Sequence, residues 1–445
     1  MTAISSQRAA SLAGEIVVPG DKSVSHRALM LGALAVGETR IEGLLEAEDV
    51  LATAAAMRSL GATVERHTDG GWTVIGRGVG GLAEPDDVLD MGNSGTGARL
   101  LMGILASHPF SATLTGDASL RSRPMQRVMT PLRQIGATFT ARDGGRMPLT
   151  IEGAAEPMPI TYELPVASAQ VKSAILLAGL NTPGVTTVIE PKPTRDHSER
   201  MLAEFGAQVT TTELDGGGRR ISLVGEPELT GRAVMVPADI SSAAFPLVAA
   251  LLVPGSRLTL AGIGVNPLRT GLLDSLVEMG AYIEIKRRDD GHGEPIADIT
   301  IIAGALKGAH IPASRAPSMI DEYPILAVAA ACAEGTTRMD GLAELRVKES
   351  DRLAAMADGL AACGVDVEAD ADSLTVHGTG APPPGGAEIA VNLDHRIAMA
   401  FMVLGMVAER PVTIDDGSPV DTSFPGFIKM MNGLGANLMP TEGNQ

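Results

Sequence analysis

A glycine that stops a helix just ahead of a short strand recurs six times along these 445 residues. It reads LGATVE at Gly61, IGATFT at Gly136, FGAQVT at Gly206, MGAYIE at Gly280, CGVDVE at Gly364 and LGANLM at Gly435. The copies lie roughly 70 to 85 residues apart, a period that marks an internal repeat and constrains the fold more than any local motif. A second series runs alongside, in which a polar loop precedes a long apolar run. Its members are residues 21–27 (DKSVSHR), 93–99 (NSGTGAR), 168–172 (SAQVK), 239–242 (DISS), 319–323 (MIDEY) and 394–396 (DHR). Six helices, apolar on all sides and therefore buried, are expected to begin where the polar residues concentrate.

One unit shows the order. Residues 28–34 read as buried helix, Gly37 ends it, and residues 39–41 begin a strand. Residues 46–60 have helical spacing, with apolar positions at Val50, Leu51, Ala54, Met57 and Leu60. Gly61 is a natural stop because glycine tolerates positive φ, and residues 63–65 and 72–75 follow as strands. The unit is thus helix, strand, helix, strand, strand. The last strand of a unit leads into the next polar loop, as in LTGRAVMVPADIS at residues 229–241. Its nearest counterpart is LAGEIVVPGDKS at residues 12–23. The sixth unit stops after LGANLM, so residues 14–19 are expected to supply its missing strand from the other end of the chain. Two α/β domains follow, 21–238 with units one to three and 1–20 plus 239–445 with units four to six. The chain crosses between them near residues 20–22 and 237–239, and such a pair of crossings forms a hinge that permits closure on a ligand. The competing reading is a solenoid whose polar loops are helix caps and nothing more.

Size agrees with two domains, since one core rarely serves so long a chain. The formal net charge is −18, with 53 acidic against 35 basic residues, and aromatics are 2%. Such a surface repels phosphate backbones and offers little for base stacking, so no nucleic-acid partner is expected. Against that background the few basic clusters carry information. Two cysteines, Cys332 and Cys363, make no disulfide framework and fit a reducing compartment. The N-terminus has no apolar signal core, and the longest apolar runs (residues 243–253 and 397–408) fall short of the ~20 residues of a membrane span. A soluble, cytoplasmic protein is expected.

The chemistry gathers at the loops. Lys22, Ser23 and Arg27 stand at the mouth of a buried helix, where backbone N–H groups and the helix dipole also favour an anion. The glycines of residues 93–99 allow close backbone approach to a phosphate or carboxylate. Arg123 precedes Pro124 and is expected to be extended, off the helix. Ser168 and Gln170 offer neutral polar groups at a third helix start, and Arg195 follows in the same unit. Asp321 and Glu322 precede the fifth apolar run. Residues 345–352 pack Arg346, Lys348, Glu349, Asp351 and Arg352 together, with Lys348 and Arg352 expected on one helical face. Glu349 beside those cations can exchange protons if desolvation tunes it. Arg396 starts the sixth helix, with Asp394 as its cap. No second cluster has metal-ligand spacing, so no metal is expected.

The set PGDKSVSHR, NSGTGAR, SAQVKSA, RDHSE, APSMIDEYP, LRVKESDR and LDHRIAMA resembles the 5-enolpyruvylshikimate-3-phosphate synthase (EPSP synthase) family over essentially the whole chain. The forms SAQVKSA and RVKESDR are similar to its bacterial, class II-like members. The resemblance implies two similar domains, each of three βαβαββ units around buried helices (an inside-out α/β barrel), joined by a two-strand hinge. It implies transfer of the enolpyruvyl group of phosphoenolpyruvate to the 5-hydroxyl of shikimate 3-phosphate, in the shikimate pathway of aromatic amino-acid biosynthesis, by a monomer without cofactor. Residue by residue, it assigns shikimate 3-phosphate to Lys22, Ser23, Arg27, Ser168, Ala169, Gln170, Arg195, Asp321 and Lys348. It assigns phosphoenolpyruvate to Lys22, Gly95, Arg123, Gln170, Arg352 and Arg396, and catalysis to Lys22, Asp321 and Glu349. Gly95 is where insensitive relatives often carry alanine, so glyphosate is an expected inhibitor. One departure stands near the C-terminus, where many relatives have a lysine before Thr-Phe-Pro and this chain has Thr422 or Ser423. The alternatives are the sister transferase acting on a UDP-sugar and a non-catalytic anion-binding repeat protein. The former uses a cysteine on a mobile loop, whereas Cys332 lies in an apolar run and Cys363 at a helix end.

Overall fold

The computed structural model describes residues 2–288 and 293–441. The backbone falls into six four-stranded mixed sheets among these residues, one per repeat. In the first, Ala233–Met235 lies parallel to Glu38–Glu42, which pairs antiparallel with Trp72–Ile75, and Thr63–Arg66 closes the far edge. The same order holds in the second sheet (Leu89–Asp90, Ser111–Thr115, Arg146–Glu152, Thr138–Arg142) and in the third (Thr161–Glu163, Val185–Glu190, Arg219–Val224, Val209–Glu213). Each unit is therefore β-α-β-α-β-β, with a parallel pair across the buried helix and an antiparallel hairpin beyond it. All six repeat glycines hold the positive φ that ends a helix, from +79° at Gly364 to +120° at Gly136.

The chain divides into two compact units. The first spans Gly20–Pro237, with Gly293 and Glu294 added; the second comprises the chain up to Pro19 and most of the chain from Ala238 onward. Three helices form the interior of the first unit: Lys22–Leu34, Gly95–Ala106 and Ala169–Leu180, here the first, second and third buried helices. Every residue of the first from Val24 to Leu34 is buried, as expected of a helix with no polar face. Small residues let these helices lie close. A Cβ on Gly103 of the second would stand 2.2 Å from the carbonyl oxygen of Ala174 in the third, so only glycine fits there. The outer helices, such as Gln126–Ile135, instead bury one face and leave polar residues on the other.

The second unit repeats the plan around Ile240–Leu252, Tyr323–Cys332 and His395–Gly405, the fourth, fifth and sixth buried helices. Its N-terminal arm departs from the sequence expectation. Ile4–Gln7, not residues 14–19, completes the sixth sheet, between Val412–Ile414 and Asn437–Pro440. Ala13–Ile16 instead lies parallel to Arg257–Gly264 at the edge of the fourth sheet. The likeness between residues 12–23 and 229–241 was sound, because both strands hold the same position, parallel to the strand that follows a buried helix. The arm simply carries two strands rather than one. No helix of the described residues is long and apolar enough to cross a membrane.

Candidate active site

In the first unit the N-terminal turns of the three buried helices are tied side by side. Asp21, Ser94 and Ser168 cap them, each accepting from a backbone N–H of the first turn. Arg27 of the first helix donates from Nη2 to Ser173 Oγ of the third at 2.8 Å, from Nε to Ser198 Oγ at 2.8 Å, and from Nη1 to the carbonyl of Ser23 at 2.9 Å. Arg99 of the second donates to Gln170 Oε1 of the third at 3.1 Å, and Gln170 Nε2 donates to Thr96 Oγ1 at 3.0 Å. His26 lies between Thr53 and Ser94, with Nδ1 2.8 Å from Thr53 Oγ1. Burial, then Lys22 and Arg27, push its pKa down to about 3, so it is a neutral packing residue. Three helix N-termini and several cations thus converge on one end of the unit.

The other predicted residues of this unit fall around that end. Lys22 Nζ is 2.8 Å from Asp49 Oδ2, and Lys22 keeps 18% of its side chain exposed. Arg123 is extended (φ −81°, ψ 134°) at the end of its short helix, as its place before Pro124 requires, and donates to Asn93 Oδ1 and Ser119 Oγ, both at 2.9 Å. Gly95 faces that guanidinium: a Cβ there would lie 3.0 Å from Arg123 Nη1 and 2.9 Å from Arg99 Nη1. Ala169 is the first residue of the third helix, beside its cap Ser168. Burial lowers the Arg27 pKa to about 10 against the opposing pull of Glu199, Asp21 and Glu294, with Arg195 adding to the lowering through space.

The second unit gathers its site residues by direct contact. Asp321 Oδ1 receives Lys348 Nζ at 3.1 Å and Arg352 Nη1 at 3.3 Å. Arg352 donates to both oxygens of Asp394, at 2.8 and 3.2 Å, and also pairs with Glu349. Burial opposes the charge of Arg352, yet Asp394, Glu349 and then Asp321 more than offset it and hold the guanidinium above its usual pKa. Asp394 is driven the other way: burial opposes its charge, and Arg352 outweighs burial to keep the carboxyl below its usual value. Arg396 Nη1 donates to the carbonyl of Asp321 at 3.0 Å. Lys348 and Arg352 do not share a helical face, for Lys348 closes a 3₁₀ turn and Arg352 begins the next helix; the intervening bend brings both to Asp321. Of the two residues at the C-terminal departure, Thr422 donates to the carbonyl of Pro419 and Ser423 is buried.

Sequence reasoning missed the supporting carboxylates. Buried Lys172 is held by Glu190 and Glu199, neither of which the polar loops pointed to, whereas Glu322, which stood in such a loop, is buried, accepts from Ser241 and lies 3.7 Å from Arg396. The available signal was a charged residue set inside an apolar helix run, which demands a partner elsewhere. Neither cysteine is activated: burial pushes the Cys332 thiol up to about 12 and Cys363 up to about 11, away from the thiolate that a nucleophile needs.

Residues 6–431 match the model of a family described as EPSP synthase (3-phosphoshikimate 1-carboxyvinyltransferase). A 3-phosphoshikimate 1-carboxyvinyltransferase of Paramagnetospirillum magneticum is 67% identical over 435 residues, 98% of each chain. Its namesake from Rhodospirillum rubrum is 65% identical over 96% of each. The crystal structure of EPSP synthase from Acinetobacter baumannii superposes with a TM-score of 0.87 at 46% identity, covering 99% of this chain and all of that one. Fold and helix-end sites define an enolpyruvyl-transferase-like α/β protein of two similar domains. Within that class, the chain belongs to the EPSP synthase family.

Proposed function

We infer that the chain transfers the enolpyruvyl group of phosphoenolpyruvate to the 5-hydroxyl of shikimate 3-phosphate and releases inorganic phosphate. The observation that carries this reading is the setting of Asp321. It is a carboxylate 14% exposed, gripped by Lys348 and Arg352, at the head of a buried helix in a chain of this family. Such a group, placed within reach of a hydroxyl, can accept its proton. As the oxygen attacks the enol carbon, the methylene must gain a proton; Glu349 is suited to deliver and later remove it, with Lys22 assisting. Positive charge develops at the enol carbon, and the nearby carboxylates stabilise it. Phosphate departs with its C–O electron pair as the newly formed methyl returns a proton to Glu349 and the double bond re-forms.

Lys22, Ser23, Arg27, Ser168, Ala169, Gln170 and Arg195 would hold shikimate 3-phosphate, together with Asp321 and Lys348. Lys22, Gly95, Arg123, Gln170, Arg352 and Arg396 would hold phosphoenolpyruvate. For the first group the support is the convergence of three helix N-termini on cations, an anion site in any protein. Arg352 has the weaker support, since its N–H groups already face carboxylates; its part is to tune Asp321 and Glu349 as much as to meet substrate. We further read a monomeric, cytoplasmic, class II-like enzyme that works as two domains. It is inhibited by glyphosate because Gly95 keeps open the space that a methyl would fill beside Arg123.

The test is direct. The protein is mixed with both substrates, and phosphate is followed by colour and the vinyl ether product by proton NMR. Omission of either substrate should abolish both signals. Absence of phosphate release from protein that binds both compounds rejects the reading, and turnover of a UDP-sugar acceptor that thiol alkylation stops would install the sister activity in its place.

A further inference from the structure

The third buried helix is apolar from Val171 to Leu180 except for Lys172 and Ser173. A lysine there has no access to solvent: its side chain is 0% exposed. Its ammonium is met from three directions. Glu190 Oε2 lies at 3.0 Å, Glu199 Oε1 at 2.7 Å, and the carbonyl of Thr194 accepts at 3.3 Å. Thr194 also donates from Oγ1 to Glu190 Oε2 at 2.8 Å. These partners are not scattered. Thr194 immediately precedes Arg195, and Glu199 sits in the helix His197–Glu204 that immediately follows it. The segment carrying Arg195 is therefore fastened on both sides to one ammonium. The next residue of the same helix, Ser173, accepts from Arg27 and from Ser198, and Ser198 accepts from Arg27 in turn.

We propose that Lys172 is a positioning residue for the phosphate grip formed by Arg27 and Arg195. The proposal rests on the reading that these arginines receive the phosphate of shikimate 3-phosphate. Lys172 is too deeply enclosed to meet a ligand, so its effect passes through the groups it holds. Two glutamates lie within reach of one ammonium, and Glu199 Oε2 is buried with no hydrogen-bond partner. Without the ammonium the ties from Glu190, Glu199 and the Thr194 carbonyl to the third helix are lost, which frees the Thr194 turn and the helix bearing Ser198 and Glu199 to move outward. Arg195 moves with the first and the anchor of Arg27 with the second. A grip displaced by about an ångström loses much of its strength, on the scale of a hundredfold.

The variant that tests this with one buried carboxylate fewer is Lys172→Met combined with Glu199→Gln; Lys172→Met alone, which leaves both Glu190 and Glu199 without their cation, serves as the harsher companion. Melting temperature, kcat and both KM values are measured beside the wild type, with the affinities for shikimate 3-phosphate and for shikimate lacking the phosphate. The expected result is a double variant that melts cooperatively, with KM for shikimate 3-phosphate raised about tenfold or more and KM for phosphoenolpyruvate within about threefold. Its affinity for shikimate itself should equal that of the wild type. An unchanged KM for shikimate 3-phosphate, an equal rise for both substrates, or loss of cooperative melting in the double variant overturns the proposal. Failure of the wild type to release phosphate is a separate result, which removes the functional reading and this proposal with it.

Discussion

Each unit buries an arginine beside the N-terminal turns of its core helices, and the two are solved in opposite ways. Arg27 in the first unit donates to two serine hydroxyls and a carbonyl, and burial lowers its pKa to about 10. Arg352 in the second donates to Asp394, Glu349 and Asp321, and its pKa rises despite burial. Repeat architecture fixes where a charge stands but not what surrounds it. Burial outweighs the acidic groups that act on Arg27 (Glu199, Asp21 and Glu294), so its charge stays under-compensated and favours an incoming dianion. A guanidinium among carboxylates is already neutralised and serves to set their ionisation. On the proposed reading the first unit is suited to hold anions and the second to move protons.

This contrast can be broken at several points. The largest effect should come from Asp321→Asn, which leaves the cations of the second unit in place but removes the base. Turnover should fall by about 10²–10⁴ with little change in substrate affinity, and a near-normal kcat would take Asp321 out of the chemistry. Arg352→Met should follow. It strands Asp394, 0% exposed, without its partner, and should destabilise the protein by about 3–5 kcal/mol in urea titration. The matching change in the first unit, Arg27→Met, leaves Ser173 and Ser198 bonded to each other at 2.7 Å. It should lower stability by less than about 1.5 kcal/mol. Binding of shikimate 3-phosphate, measured by calorimetry, should instead weaken by about 1.5–3 kcal/mol. Equal losses of stability from the two arginine variants would end the comparison.

Acid sharpens it further. The folded pKa of His26 lies below the unfolded 6.5, so its contribution is intact above pH 6.5 and lost as pH falls toward 3. That amounts to about 2 kcal/mol by pH 5. Asp394 is also lowered, but from 3.8, so its ion pair with Arg352 persists until pH falls below that value. The first unit should therefore soften first. The single tryptophan, Trp72, is buried in that unit, so its emission in urea at pH 7 and pH 5 reads the difference; His26→Gln should flatten it. The smallest effect belongs to Gly95→Ala. The new methyl meets only the far ends of Arg99 and Arg123, which can shift, so stability should stay within about 0.5 kcal/mol while KM for phosphoenolpyruvate rises a few-fold.

Much of this was legible in the sequence because repeated stop glycines and all-apolar helix runs are local signals. Gly61 and its five counterparts do end helices at positive φ, and the capping residues Asp21, Ser94, Ser168, Asp239 and Asp394 stand where the polar loops place them. Strand partnership was not legible. Ile4–Gln7 is four residues long with three of them polar, and its partners lie more than 400 residues away, so nothing in ISSQ announces a sheet. The cationic residues were visible as types at helix starts. Their electrostatic state was not, since it depends on Asp394 and Glu349 in one unit and on Ser173 and Ser198 in the other.

The arm bearing Ile4–Gln7 sets a timetable for biosynthesis. A nascent chain holds every strand of the first three sheets once Met235 has left the ribosome, so the unit from Gly20 to Pro237 can mature while translation continues. The sixth sheet threads Ile4–Gln7 between Val412–Ile414 and Asn437–Pro440, and so waits for the last strand to be made. Until Asn437–Pro440 has been made, Ile4–Gln7 is an unclaimed edge that must be kept from other chains.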